Sequence, residues 1–299
     1  MNAMAISCTT LRPLLLKSLS SSQRTHLGFL KLRCVSPKTA PIAQLPGYTC
    51  SLQAYSIPHP KKIEKGGEDA YFLNDAEVVF AVADGVSGWA EQNVDPSLFS
   101  RQLISNVSAL VREGLNDDPL LLMRRAHEAT STTGSATLII AVLGKDGLLK
   151  IASVGDCGLR VFRRGKLVFA TAPQEHYFDC PFQLSSESST QTYFDAVVTH
   201  VQLQQGDTVV MASDGLFDNV FDDEIASIVS NHVEALDAAK ELANLASIHS
   251  ADGNFESPYA IEGRAKGLDV PSWKKMLGMK LSGGKPDDIT VLVGKVHTV

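Results

Sequence analysis

From residue 77 onward the chain carries short apolar runs separated by polar punctuation. Glu77–Ala83, Thr137–Leu143, Leu148–Val154, Ala196–Leu203, Asp207–Ala212 and Ile289–Val296 have the length and β-branched content of strands. Turn signals such as Asp146-Gly147 and Gly206-Asp207 bound them. Leu159–Phe162 and Leu167–Phe169, joined through Arg164-Gly165, read as a hairpin. Helical spacing appears elsewhere. Asp95-Pro96 offers an N-cap followed by proline in the first turn, and Leu98, Phe99, Leu103, Val107, Leu110 and Val111 then line one face. Asp118-Pro119 repeats the device before Leu121, Leu122 and Ala126, and further helices are predicted over Asp223–Ser230 and Leu236–Ser247. Strands and helices alternate in groups, not as a regular βαβ repeat. This predicts an α+β fold, a sheet sandwich flanked by helices, over a doubly wound sheet. Residues 250–285 are Gly-rich and basic with little periodicity, which predicts a long surface insertion.

Composition changes the picture at the N-terminus. The 299 residues are 44% hydrophobic and 20% charged, enough for a full core. No run approaches the roughly 18 apolar residues of a membrane-spanning helix. The net charge of −6 argues against a general nucleic-acid binder. That charge is unevenly spread: the first acidic residue is Glu64, while Arg12, Lys17, Arg24, Lys31, Arg33 and Lys38 precede residue 51. The remainder holds 21 basic against 33 acidic residues, a net charge of −12. A Ser- and Leu-rich, basic, acid-free leader has the composition of an organelle transit peptide, a disordered tail being the alternative. Lys17 interrupts Leu14–Leu16 too early for a secretory signal, and Ser18, Ser20, Ser21 and Ser22 tilt the destination toward a plastid. The expected division is therefore a transit peptide and linker over 1–50, cleaved between Arg33 and Ser51, and one domain over 51–299. Cys8, Cys34, Cys50, Cys157 and Cys180 lack zinc-ligand spacing and are expected to be free thiols.

Candidate chemistry sits where strands stop. The run Val78–Ala83 ends in Asp84-Gly85, Ile151–Val154 in Gly155-Asp156, and Val209–Ala212 in Ser213-Asp214-Gly215 with Asp218 a turn further on. Asp287-Asp288 stands directly before Ile289–Val296, and Glu68-Asp69 before Tyr71-Phe72. One Asp-Gly is an ordinary turn. Several carboxylates brought to one rim repel unless a cation neutralises them. An all-oxygen set without His or Cys selects Mg²⁺ or Mn²⁺ over zinc.

The ordered series Gly67-Glu68-Asp69, Val82-Ala83-Asp84-Gly85, Gly134-Ser135-Ala136-Thr137, Ser153-Val154-Gly155-Asp156, Ala212-Ser213-Asp214-Gly215-Leu216-Phe217-Asp218 and Asp287-Asp288-Ile289-Thr290-Val291 resembles the signature of the PP2C (PPM) protein phosphatases over nearly all of residues 55–298. The resemblance implies an α-β-β-α sandwich, a central antiparallel β-sandwich with helices on both outer faces and metals at one edge. It implies hydrolysis of phosphoserine and phosphothreonine by a hydroxide bridging two metal ions. Asp84 would bridge the ions, the Gly85 carbonyl would join one, Glu68 would serve the second, and Asp214 and Asp287 would complete the first. Asp84, Asp214 and Asp287 are thus the expected catalytic set, while Asp156 and Asp218 match residues that hold a third ion in some relatives. Asp69 and Asp288, the latter where the family usually has Asn, are expected to support the ligands, and Gly134–Thr137 to form the floor.

Two features depart from the family pattern. Many relatives have His where this chain has Val86, and Arg where it has Glu64. Lys61, Lys62 and Lys65 are the nearby cations that could replace the Arg, and His176 is a candidate proton donor. Both departures, with the stretch Gln174–Leu184 and the Ser257–Asp288 insertion, resemble a chloroplast branch of the family. That implies phosphorylated photosystem II core subunits as partners, a stromal location and peripheral thylakoid contact. Because the body is acidic, such contact would need a local basic surface, for which Arg264, Lys266, Lys274, Lys275, Lys280 and Lys285 are the candidates. The alternatives are a pseudophosphatase or regulatory binding module of the same fold, and an enzyme acting on a small phosphorylated metabolite.

Overall fold

The computed structural model describes residues 47–187, 193–271, 276 and 279–299. Its strands are β1 (Tyr48–Ile57), β2 (Asp69–Asn74), β3 (Val79–Gly85), β4 (Ser135–Leu143), β5 (Leu148–Val154), β6 (Gly158–Arg163), β7 (Lys166–Ala170), β8 (Glu175–Tyr177), β9 (Cys180–Pro181), β10 (Leu184–Ser185), β11 (Val197–Gln202), β12 (Thr208–Ala212) and β13 (Ile289–Thr298). Its helices are α1 (Pro96–Arg112), α2 (Pro119–Glu128), α3 (Asp214–Phe217), α4 (Asp222–Asn231), α5 (Ala235–Ala251) and α6 (Pro258–Ala265). One sheet runs β1-β13-β12-β6-β7; the other runs β11-β5-β4-β3-β2 with β10 beside β4. The pairings are antiparallel throughout, as expected for strands with alternating faces.

Strand alternation divides the apolar residues into layers. Phe80, Val82, Ile139 and Ile151 meet Leu52, Leu159, Val161, Met211 and Leu292 between the sheets. The opposite faces of β3 and β4, with Ala81, Leu138 and Ile140, bury Phe99, Leu103 and Val107 of α1 and Leu122 and Met123 of α2. On the other flank Val210, Val291 and Val293 pack on Ile225 of α4 and Ala239, Leu242 and Ala246 of α5. The result is the expected helix–sheet–sheet–helix sandwich. Both predicted N-caps are in place: Asp95 accepts from the Ser97 amide at 3.1 Å, and Asp118 from Leu120 at 2.9 Å and Leu121 at 3.1 Å. Arg164 (φ 51°) and Gly165 (φ 72°) make the β6–β7 turn with two left-handed residues.

Two elements depart from expectation. Strand β1 begins at Tyr48, ahead of Ser51, and its pairing with β13 runs Tyr48↔Thr298 to Ile57↔Ile289. The stretch 250–285, read as aperiodic, contains α6, whose N-cap Ser257 accepts from the Ala260 amide at 3.1 Å with Pro258 in the first turn. The same cap-and-proline signal that marks α1 and α2 was present there, but α6 buries only Ala260 and Gly263 and so has no apolar stripe. Among the described residues no helix is long and apolar enough to cross a membrane.

Candidate metal centre

The two sheets deliver carboxylates to one rim. Asp69 opens β2 and Asp84 lies one residue from the end of β3, the two being register partners. Asp156 follows β5, Asp214 follows β12, and Asp287 precedes β13. The charges of Asp69, Asp214, Asp287 and Asp156 all act on Asp84, so sequence positions more than 200 residues apart converge around it. Removal from water first, then these like charges, drive the Asp84 carboxyl well above the ordinary carboxylate range. Burial and the neighbouring Asp214 push Asp287 up to about 7. Burial raises Asp218 to about 7 as well, against the pull of Lys285. Asp156 is raised by burial and by Asp214.

Supporting contacts fix the rim. Ser213 donates to Asp69 Oδ2 at 2.8 Å, tying β2 to the residue beside Asp214. Asp288, 1% exposed, accepts the His59 amide on Oδ1 at 2.7 Å and the Glu68 amide on Oδ2 at 2.8 Å. Glu68 Oε2 accepts from Ser87 Oγ at 2.5 Å and from Lys62 Nζ at 2.6 Å. Asp69 and Asp288 thus lie beside the candidate ligands, each held by hydrogen bonds of its own. Thr137 faces Asp84 across the β3–β4 ladder, and Ser135 links Trp89 Nε1 (2.6 Å) to Gln183 Oε1 (2.5 Å), which brings Gly134–Thr137 beside the rim. Gly155 holds φ 98°, and a Cβ there would stand 2.5 Å from the Phe182 carbonyl oxygen, so the turn into Asp156 admits glycine.

Whether this rim suits a cation can be tested on its polar atoms. Asp69 Oδ1, Asp156 Oδ1 and Asp214 Oδ1 are buried without a hydrogen-bond partner. Orphaned carboxylate oxygens among like charges are costly, and hard divalent ions take such oxygens as ligands. Among the described residues no three His, Cys, Asp or Glu side chains already close around one point. Ammonium groups stand between them: Lys285 Nζ lies 2.6 Å from Asp214, 2.9 Å from Asp218 and 2.8 Å from Asp179, and Lys62 Nζ lies 3.9 Å from Asp287. Burial works against the Lys62 charge, but its bond to Glu68 and the charges of Asp288 and Asp287 hold it above the usual lysine range. The donor set fits a hard divalent cation, and the lysines mark where positive charge is wanted.

Beside the rim lies a cavity of about 320 Å³, lined among others by Asp156, Asp214, Lys285, Phe178 and Tyr259. The β8–β9 hairpin forms one wall and is held to α6 by Lys266–Glu175 (2.5 Å), by the Phe178–Tyr259 ring pair (4.9 Å) and by Tyr259 donating to Asp179 (3.2 Å). His176, the candidate proton donor, is exposed and packs on Phe182 with ring centroids 4.3 Å apart. The sequence offers Lys285 as part of a basic recognition surface and gives no sign of Asp179 or Tyr259 at the rim; the structure places the Lys285 ammonium on Asp214, Asp218 and Asp179. Only the place of Lys285, two residues before Asp287, could have pointed to it. Four of the six candidate basic residues have acidic partners in the structure. Arg264 and Lys280 are bound to Glu256, Lys266 to Glu175 and Glu262, and Lys285 to the rim. Lys274 and Lys275 lie outside the described residues.

Comparison with known proteins agrees with this architecture. The model of the family "Protein phosphatase 2C" matches residues 67–248. The chain is 56% identical over 280 residues to probable protein phosphatase 2C 26 of Arabidopsis thaliana, covering 93% of each. It is 58% identical over 251 residues to probable protein phosphatase 2C 1 of Oryza sativa subsp. japonica, covering 83% of this chain and 76% of the relative. The X-ray structure of the photosystem II phosphatase PBCP superposes with a TM-score of 0.80 at 57% identity, covering 82% of this chain and 98% of that one. The catalytic domain of the phosphatase PstP, solved with two manganese ions, shares the fold at a TM-score of 0.58 and 19% identity, over 84% of this chain and 99% of that one.

Proposed function

The chain belongs to the protein phosphatase 2C family and is a protein serine/threonine phosphatase, and on that premise we propose that it is an active, divalent-metal-dependent enzyme whose substrates are phosphorylated photosystem II core proteins. The observation that carries the metal dependence is the carboxylate rim around Asp84 with its orphaned oxygens on Asp69, Asp156 and Asp214. Asp84, the Gly85 carbonyl, Glu68, Asp214 and Asp287 would hold two Mg²⁺ or Mn²⁺ ions. Asp156 and Asp218 would border a third ion, and Lys285 already supplies positive charge beside them. The ions would supply an activated water as nucleophile and neutralise the charge that builds on the phosphoryl group.

The chain's own residues do the rest. Ser213 orients Asp69 and Asp288 holds the Glu68 backbone, which fixes the frame that presents the ligands. The β8–β9 hairpin and α6 wall the cavity beside the rim, where the residues flanking a phosphothreonine would lie. With neutral Val86 at the place where many members of the family carry His, the departing serine or threonine oxygen must take its proton from another group or from solvent. The photosystem II assignment draws support from the 57% identity to the photosystem II phosphatase, and a plastid location from that likeness and the acid-free leader. The decisive experiment uses phosphorylated thylakoid membranes and a phosphothreonine peptide with Mn²⁺, Mg²⁺ or chelator. Core-protein phosphothreonines should be cleared in metal and persist in chelator. Turnover of the peptide with no action on the membranes would remove the substrate reading. No turnover in any metal would favour the pseudophosphatase.

A further inference from the structure

We propose that Lys62 is the cation that grips the phosphoryl group of the substrate, and that Asp288 is the residue that positions it. This rests on the phosphatase reading above and names a residue for a task which that reading leaves unassigned. Three lysines precede Glu68 closely in sequence. Lys61 is exposed, and Lys65, 67% exposed at its side chain, reaches out to Asp95 at 3.6 Å. Lys62 turns inward, its side chain 21% exposed.

The ammonium of Lys62 has three protons and three close acceptors: Glu68 Oε2 at 2.6 Å, Ser87 Oγ at 3.0 Å and Asp288 Oδ2 at 3.2 Å. Glu68 belongs to the candidate ligand set, and Asp287, another member, is 3.9 Å away. Glu68 and Asp287 would hold divalent ions, which would take these carboxylates away from Lys62. Lys62 would keep Asp288 and Ser87 as anchors and have one proton free for a phosphate ester at the rim. A compact ammonium there matches one anionic phosphate oxygen.

Asp288 is built to keep that lysine in place. Both of its oxygens accept hydrogen bonds, Oδ1 from the His59 amide and Oδ2 from the Glu68 amide as well as from Lys62. An asparagine would turn an NH₂ group toward one of these donors, so the site demands a carboxylate. The loop between is clamped on the same group: Gly67 has φ 78°, and a Cβ on it would stand 2.7 Å from Asp288 Oδ1. The Lys62 amide bonds the His59 carbonyl at 2.7 Å, and its carbonyl accepts from Gly67 at 3.2 Å. The charge at position 288 and the inward lysine thus form one device, in a chain whose exposed Glu64 stands where relatives place an arginine.

The test compares wild type, Lys62→Ala, Lys62→Arg, Asp288→Asn, the double variant and Lys61→Ala as full-length, Mn²⁺-loaded proteins. Binding of inorganic phosphate is measured by calorimetry, bound manganese by elemental analysis, and KM and kcat on a small phosphate ester. Lys62→Ala should weaken phosphate about tenfold or more, the loss of one charged hydrogen bond, and raise KM with bound manganese unchanged. Lys62→Arg should recover most of the affinity, and Lys61→Ala should match wild type. Asp288→Asn should weaken phosphate in the same sense and add little to Lys62→Ala. Wild-type phosphate affinity in Lys62→Ala, or loss of manganese in place of phosphate, overturns the proposal. Wild type that neither binds phosphate nor turns over the ester brings down the phosphatase reading itself.

Discussion

Asp69 on β2 and Asp84 on β3 stand directly opposite one another in the antiparallel ladder. Like charges in such a pair destabilise a sheet. Asp69 is pushed up to about 8 by burial and then by Asp288, against hydrogen bonds from Thr290 and Ser213, and Asp84 lies well above the usual range. With Asp287 and Asp218 raised to about 7, several groups bind protons more tightly folded than unfolded, where their pKa is 3.8. Their protonated forms stabilise the metal-free fold fully below about pH 4, and that contribution is lost as pH rises through about 7 to 8. Divalent ions compete with those protons. The melting temperature of chelated protein should therefore fall between about pH 5 and pH 8, and the stabilisation added by Mn²⁺ should grow over the same interval. Calorimetric scans with and without chelator check this; a flat or rising chelated profile would show that the rim is not a cluster of strained carboxylates.

Asp84→Asn and Asp214→Asn remove charge without changing core volume. Each should cut turnover by orders of magnitude and abolish most of the Mn²⁺-induced rise in melting temperature. The chelated Asp84→Asn protein should melt no lower than chelated wild type, since a repulsive buried charge has gone. Activity and both melting temperatures, measured on one preparation, separate a ligand from a structural aspartate. A variant that turns over normally would show that Asp84 or Asp214 is not a ligand.

The layers were legible in the chain because their strands alternate and α1 and α2 announce themselves with Asp-Pro caps. The rim was legible because each aspartate abuts a strand end, where backbone direction, not side-chain chemistry, sets the position. Strand β1 was hidden. It is an edge strand whose buried faces come from Cys50 and Leu52, separated by polar residues and preceded by the leader. Helix α6 was hidden because it covers the hairpin through Tyr259 and Lys266 more than it fills a core. Most instructive are Lys62 and Lys285. In sequence both are lysines in a polar stretch. Long-range pairing, across 226 residues for Lys62–Asp288 and 71 for Lys285–Asp214, singles out Lys62 from its neighbours and brings Lys285 to the rim.

The Lys285 ammonium is fixed from both ends. Its backbone amide and carbonyl bond the Asn219 side chain at 2.8 and 2.9 Å, and Nζ reaches Asp179, Asp214 and Asp218. Burial opposes its charge, yet the carboxylates hold it far above the usual lysine range. A tethered cation of this kind competes with an ion held by Asp156 and Asp218. Wild type should take up two manganese ions firmly, and Lys285→Met, which keeps length and loses charge, should take up one more. Equilibrium dialysis with elemental analysis measures both. Equal stoichiometry in the two proteins would mean that Lys285 leaves its carboxylates when metal binds.

Strand β1 sets where the folded domain must begin. Strand β1 pairs with β13 from Tyr48 to Ile57, and β13 carries Val291, Leu292 and Val293 into both core layers. Leu52 is 2% exposed and Cys50 3%, and burying one leucine is worth about 1.5–3 kcal/mol. Stripping β1 would also leave the paired amides and carbonyls of β13 bare at a new sheet edge. Removal of a leader anywhere between residues 33 and 47 leaves the ladder whole, whereas cleavage at Ser51 would cost it Tyr48, Thr49 and Cys50. A protein starting at Gly47 should therefore match the full chain in melting temperature and phosphatase rate. One starting at Pro58 should be insoluble or melt well below it, and one starting at Ser51 should fall between. If the Pro58 form melts like the full chain, β1 contributes nothing to the sandwich. If the Ser51 form is indistinguishable from the Gly47 form, the first three rungs are frayed and the mature N-terminus is free to lie inside the strand.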